Sequence, residues 1–201
     1  MSNAFIETIR KRRTQYALGD DLPLPHDEVT ALIKEAIKLA PSSFNSQSSR
    51  AVILYGAEHR KLWLSFIMDE LRKKVAPDAF APTEAKINSF AAGAGTVLFY
   101  EDQQTVAALQ EQFPSYAEHF PVWSEQASGI AQFAVWSALA NANIGASLQH
   151  YNPLPDATIA AEWKLPAHWT LRAQMPFGSH QGEFGEKTFM SDEERFRVFA
   201  S

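Results

Sequence analysis

Cysteine is absent from all 201 residues. That absence removes a thiolate nucleophile, a redox dithiol, a disulfide framework and any thiolate metal site. Positive charge is also scarce: 18 Lys and Arg against 23 Asp and Glu give a formal net charge of -5. Bulk attraction to nucleic acid or to an anionic membrane is therefore not expected. No run approaches the ~18 consecutive apolar residues of a membrane span, and the N-terminal MSNAFIETIRKRR lacks the apolar core of a signal peptide. The expectation is a soluble cytoplasmic protein with no membrane insertion and no nucleic-acid partner.

Signature motifs are missing as well. The chain has no Walker A sequence, no G-x-G-x-x-G opening a helix, no H-E-x-x-H and no G-x-S-x-G elbow. The closely spaced glycines of AGAGTV lead into a strand-like run. His119, His150, His168 and His180 lack ligand-like spacing, and the carboxylates form no convincing pair. With 46% hydrophobic residues, the chain can bury a sizeable core. A well-cored chain with no visible nucleophile or metal set points to a borrowed reactive group.

What is present reads as alternating helices and strands. Phe5, Ile6 and Ile9 predict a short helix over 3–12. Val29, Leu32, Ile33, Ala36, Ile37 and Ala40 share one face of a second helix, ending before Pro41. RAVILY, GTVLFY and TLRAQMPFG read as strands, and Leu62, Trp63, Phe66, Ile67 and Leu71 as a further helix. EDQQTVAALQEQFPSYAEHF is polar and helix-leaning up to Pro114. The stretch from Ser124 to Ala142 is apolar over most of its surface, so a central helix or one buried between subunits is expected. No repeat or linker divides the chain, which supports one α+β domain over 1–201. The tail from about 185 to 201 carries Phe189, Phe196, Val198 and Phe199, a composition suited to burial against a partner.

Three stretches could carry chemistry. Four of the eighteen cations stand consecutively at Arg10 to Arg13. They are either a solvated helix end or a phosphate site, in which Arg12 and Arg13 supply guanidinium forks and Thr14 a hydroxyl. Pro41 opens a polar loop in which Ser42, Ser43, Asn45 and Gln47 offer donors and acceptors for a planar heterocycle. NIGASLQHYN contains Gly145, which permits close backbone approach to a flat ligand; His150 in it is an acid–base candidate or a structural histidine. Phe44 either shapes a pocket or fills core. The same two options hold for Tyr116, Phe120 and Trp123, as a substrate lid or as dimer core.

Together these stretches resemble the nitroreductase family of flavoenzymes, most nearly its short, fatty-acid-repression-type branch. The resemblance covers roughly residues 5 to 199. It implies an α+β nitroreductase-like fold, a central mixed antiparallel sheet flanked by helices in an intertwined homodimer, the tail packing on the partner subunit. It implies bound FMN, with Arg12, Arg13 and Thr14 at the phosphate and Lys187 closing that site. Tyr16 stands where the family has another basic residue, and Phe189 where it has a second one near the C-terminus. Pro41, Ser42, Ser43, Asn45 and Gln47 match the family's Pro-Ser-Ser-x-Asn-x-Gln segment, which reaches the partner's flavin; Ser48 and Ser49 replace its usual Pro-Trp continuation. Gly145, Ser147 and Leu148 match the segment at the flavin edge, where an amide of Ser147 or Leu148 would face the ring. The implied activity is ping-pong transfer of hydride from NADH or NADPH through flavin N5 to a small-molecule acceptor, nitroaromatic or quinone-like. The resemblance also admits a flavin-binding regulatory or redox-sensing role in lipid or stress signalling.

Overall fold

The computed structural model describes residues 3–200. Helix α1 (Ala4–Lys11) starts at Asn3, whose side-chain oxygen accepts from the amides of Phe5 and Ile6. A two-residue strand β1 (Leu18–Gly19) precedes α2 (His26–Leu39), which places Asp27 and Glu28 in its first turn. Helix α2 stops at Leu39 because Pro41 disfavours helical backbone at Ala40, which is extended. Strand β2 (Ser49–Tyr55) leads into α3 (Gly56–Lys61) and α4 (Met68–Arg72), joined by a π-helical segment over Leu62–Ile67. Then come α5 (Ala81–Ala91), β3 (Gly95–Asp102), α6 (Gln103–Gln112) and the long α7 (Phe120–Asn141). Strand β4 (Gly145–Ala146), α8 (Asp156–Glu162), β5 (Trp169–His180) and α9 (Asp192–Arg195) complete the chain.

The sheet runs β1-β5-β3-β2, with β4 also on β5, and every named ladder is antiparallel. A lone parallel bridge joins Thr14 to Ala146. All of β3 is buried, which is why its middle, Val97 to Tyr100, is a continuous apolar run rather than an alternation. Leu98 and Tyr100 face a core built on Trp63, Ile67, Phe90 and Ile159. Val97 and Phe99 face the other core, formed with Val29 and Ile33 of α2 and Val135 and Leu139 of α7. The apolar stretch expected as a central helix is α7, beginning at Phe120 and packed on α2 and β3. Strand β5 begins at Trp169, before the expected TLRAQMPFG. Among the described residues no helix is long and apolar enough to cross a membrane.

One titratable group is walled into this framework. His59 is fully buried, its Nδ1 2.8 Å from Thr96 Oγ1, which also accepts from Trp63 Nε1 at 2.8 Å. Burial pushes the imidazolium pKa down to about 4, only partly opposed by the carbonyls of Ala91 and Phe90. Unfolded, the ring titrates near 6.5. The unfolded chain therefore takes up a proton that the fold refuses. Stability from this site is intact above pH ~6.5 and declines as pH falls towards 4, by about 3 kcal/mol in total. Urea unfolding at pH 7.5 and pH 4.5 should show that decline, and His59→Gln should flatten it.

Candidate functional site

The basic stretch is split by the way α1 ends. Arg12 leaves the helix in extended backbone. Thr14 then bridges Ala146, and the Gln15 amide donates to the Ala146 carbonyl at 2.9 Å, so the chain beyond α1 lies along β4. Arg13 turns towards the C-terminal segment, donating through Nη2 to the Gly185 carbonyl and lying 5.3 Å from the Phe184 ring. Arg12 turns the other way and covers Trp136 of α7 at 4.4 Å. Burial, and then the charge of Arg13, lower the Arg12 pKa.

Ile6, Ile9, Arg10, Arg13, Lys187 and Phe189 line a cleft of about 520 Å³. Arg13 and Lys187, far apart in sequence, therefore meet. Among the described residues neither they nor Arg12 has a carboxylate within ion-pair distance; Arg10 pairs with Glu7 at 2.8 Å. Unneutralised cations of this kind suit an anion with several oxygens.

Beside this cleft lies the glycine segment. A Cβ on Gly145 would meet His180 Nδ1 at 3.1 Å and Gln15 Cγ at 3.2 Å, so backbone and side chains approach closely there. His180 Nδ1 is buried without a hydrogen-bond partner. Ser147 is buried; its amide donates to the Pro176 carbonyl at 3.3 Å, and its hydroxyl accepts from Gln149 at 3.0 Å. Of the two amides expected to face a ligand, the Ser147 amide is thus committed within the chain, and that of Leu148 has no backbone partner among the described residues. Tyr16 is half-exposed and tilted on Phe90, with Lys86 Nζ 5.7 Å from its ring. Lys86 brings to Tyr16 the positive charge that the tyrosine itself lacks. Arg10 on the cleft, His180 against Gly145 and Lys86 beside Tyr16 are additions to the residues that the sequence singles out. Arg10 alone carried a signal, as part of the four-cation run.

The polar loop is built elsewhere. Ser42 Oγ accepts from the Gln47 amide at 3.0 Å, and the Asn45 amide donates to the Ser42 carbonyl at 3.0 Å. Phe44, Asn45 and Gln47 all have left-handed backbone, with φ of 56°, 50° and 48°. Three such residues in one short loop store strain that ordinary connections avoid. Pro41, Ser42 and Gln47 border one cleft of about 220 Å³ with Arg50, Ala127 and Ala131. Pro41, Ser42 and Ser43 border a second of about 300 Å³ with Trp123, Ala127 and Ile130. Phe44 packs on Phe113, Phe120, Tyr116 and Trp123 at centroid distances of 4.8, 5.3, 5.7 and 6.0 Å, yet stays 49% exposed. It both packs and presents a face.

Helix α7 measures the gap between the two sets. Its N-terminal half, around Trp123 and Ala127, borders the loop, while Trp136 and Asn141 near its end meet Arg12 and Lys11. At 1.5 Å per residue the two regions are roughly 14 to 27 Å apart along the helix. Within one chain, Arg13, Gly145 and Lys187 form one site and Pro41 to Gln47 another.

Comparison with known proteins places the chain in a family. The model of the "Nitroreductase family" matches residues 9–179. "Putative nitroreductase HBN1" of Saccharomyces cerevisiae is 36% identical over 193 residues, covering 94% of each chain. The nitroreductase CinD from Lactococcus lactis, solved in complex with chloramphenicol, is 48% identical and superposes with a TM-score of 0.90 over 98% of this chain and 100% of its own. A putative nitroreductase from Desulfovibrio desulfuricans in complex with FMN shares the fold at 20% identity, with a TM-score of 0.73 over 100% of this chain and 99% of its own. The family match runs from the last turn of α1 through the strained loop, the central helix and the glycine segment, and this chain belongs to the nitroreductase family.

Proposed function

We propose that the protein is an FMN-dependent oxidoreductase, working as a homodimer, that passes hydride from NADH or NADPH to nitroaromatic or quinone-like acceptors. The observation that carries this reading is the cleft where Arg13 and Lys187 converge with no carboxylate at ion-pair distance among the described residues, next to the close approach at Gly145. A dianionic phosphate fits the first feature, and the flat ring is what the family likeness adds beside the second. Bound FMN would supply an N5 that both accepts and gives hydride, which lets donor and acceptor use one face in turn.

The chain's own part is to bind, orient and exclude water. Arg13 and Lys187 would hold the phosphate, with Arg12 and Thr14 at its margin. The Leu148 amide would offer a fixed dipole to the flavin edge. The partner subunit's Pro41–Gln47 loop would supply polar contacts to the same flavin, since the loop cannot reach the basic cleft of its own chain. Exposed apolar side chains support the dimer. Val122, Ile130 and Phe133 line the outer face of α7, Leu39 ends α2, and Phe196, Val198 and Phe199 stand out from the tail. That is more apolar surface than a monomer usually leaves in water. The nitroaromatic chloramphenicol bound to CinD supports the acceptor class, and the likeness to HBN1 supports placement in the short branch.

An absorbance spectrum of the purified protein, followed by FMN addition and anaerobic titration with NADH and NADPH, tests the reading. Yellow protein bleached by a nicotinamide and re-oxidised by chloramphenicol is the expected result. Colourless protein that takes up no added FMN would refute it.

A further inference from the structure

Glu101 is a fully buried carboxylate. Among the described residues no cation lies within ion-pair distance of it. Three hydroxyls hold it instead. Ser48 and Ser124 donate to Oε2 at 2.6 and 2.9 Å, and Ser49 donates to Oε1 at 2.5 Å. Ser49 is also its register partner across β2 and β3. Ser48 and Ser49 follow directly on the strained loop, and Ser124 follows Trp123 in the first turns of α7. Burying an acid in this way is costly unless its oxygens are bonded. An apolar contact would join β3 to α7 at less cost. What the carboxylate adds is direction: its two oxygens fix the loop exit and the helix start relative to each other.

Those two segments carry Phe44 and Trp123, whose rings stack at 6.0 Å with 20° between their planes. Beneath the stack, Ser43, Ser46, Ser48, Phe120, Trp123 and Ser124 enclose only about 10 Å³, so a shift at the carboxylate has little slack to absorb it. Above it lies the cleft bordered by Ser43, Trp123 and Ile130.

We infer that Glu101 is a positioning residue for the electron acceptor: through Ser48 and Ser124 it sets Trp123, backed by Phe44, as the wall against which an aromatic acceptor stacks. The word acceptor rests on the flavoenzyme reading above; the positioning of the wall does not.

Two variants of the full-length protein test the inference. In Glu101→Gln the amide oxygen still accepts from Ser48 and Ser124, while its nitrogen donates to Ser49. Ser124→Ala cuts only the tie to α7. Three quantities are read: KM for chloramphenicol, the rate of flavin bleaching by NADH without acceptor, and the near-ultraviolet dichroism of Trp123, isolated by subtracting Trp123→Phe. Ser124→Ala should raise the acceptor KM about 5–10-fold and leave bleaching within about twofold of wild type. The Trp123 band should shrink, and Glu101→Gln should fall between Ser124→Ala and wild type. An unchanged KM in folded Ser124→Ala overturns the inference, and so does a loss of bleaching rate in proportion to the rise in KM. If the wild type binds no flavin, the flavoenzyme reading fails and the Trp123 band still decides. An intact band in Ser124→Ala overturns the positioning, and a lost band upholds it.

Discussion

Replacing Arg13 and Lys187 together by alanine is expected to weaken FMN binding about 10²- to 10⁴-fold. Each cation loses a charge-assisted hydrogen bond to phosphate, roughly 1.5–3 kcal/mol apiece, and a factor of ten corresponds to about 1.4 kcal/mol. The two residues face one cleft from opposite ends of the chain, and neither has a carboxylate partner among the described residues to soften the loss. Arg10, also on the cleft, already pairs with Glu7 at 2.8 Å and cannot fully compensate. Riboflavin, which lacks the phosphate, provides the control. Its affinity should differ little between wild type and the double variant, because the ring contacts proposed at Gly145 and Leu148 would be untouched. Equal losses for FMN and riboflavin would mean that the two side chains support the fold of the cleft rather than the phosphate. The wild-type affinity for FMN should also fall with salt, and the variant should lose that dependence.

How far the sequence foretells this arrangement depends on the range of the interaction. Helix α2 and the central helix α7 are legible because their apolar spacing is a local property, and so is the stop before Pro41. Strand β3 is legible as an apolar run, but its last two residues are not. Glu101 and Asp102 read as the start of a polar helix, whereas in the structure they end the strand. Glu101 is buried only because Ser48, Ser49 and Ser124 come to it from two other elements. Strands β1 and β4 have two residues each and exist only through pairing with β5, so no local pattern announces them. The site follows the same rule. Arg12, Arg13 and Thr14 stand out as a cluster, but that Arg13 faces Lys187 while Arg12 covers Trp136 is decided by how the chain leaves α1. Lys86 and His180 are invisible in sequence, because nothing near them in the chain marks them as neighbours of Tyr16 and Gly145. The left-handed backbone at Phe44, Asn45 and Gln47 is equally silent; only the loop's Ser and Asn content hints at it.

Gly178→Ala should cost roughly 4 kcal/mol, lowering the melting temperature of a chain this size by about 8–16 °C. A Cβ at Gly178 would sit closer to the Gly19 carbonyl oxygen than any carbon can come, and 3.0 Å from the Ala94 amide nitrogen. Both obstacles are backbone, so no rotamer change relieves them. Gly178 is also the register partner of Gly145, and its neighbour Ser179 pairs with Gly19. Relief would require β5 to part from β1 or from Ala94 ahead of β3. A shift of β5 drags on its ladder partner β4 and so on Ala146, which holds Thr14 and Gln15 in place. Stability and flavin affinity should therefore fall together, for riboflavin as much as for FMN. Gly182→Ala, four residues further on, is the matched control: its nearest atoms would lie at 3.8 and 3.9 Å, ordinary contacts, and its effect should stay within about 0.5 kcal/mol. The double alanine variant at Arg13 and Lys187 should show the opposite pattern, a melting temperature near wild type in the apoprotein and a selective loss of the phosphorylated flavin. The two variants thus separate the backbone that shapes the site from the charges that fill it. A Gly178→Ala protein of unchanged stability would show that β5 is not held so closely against β1 and Ala94.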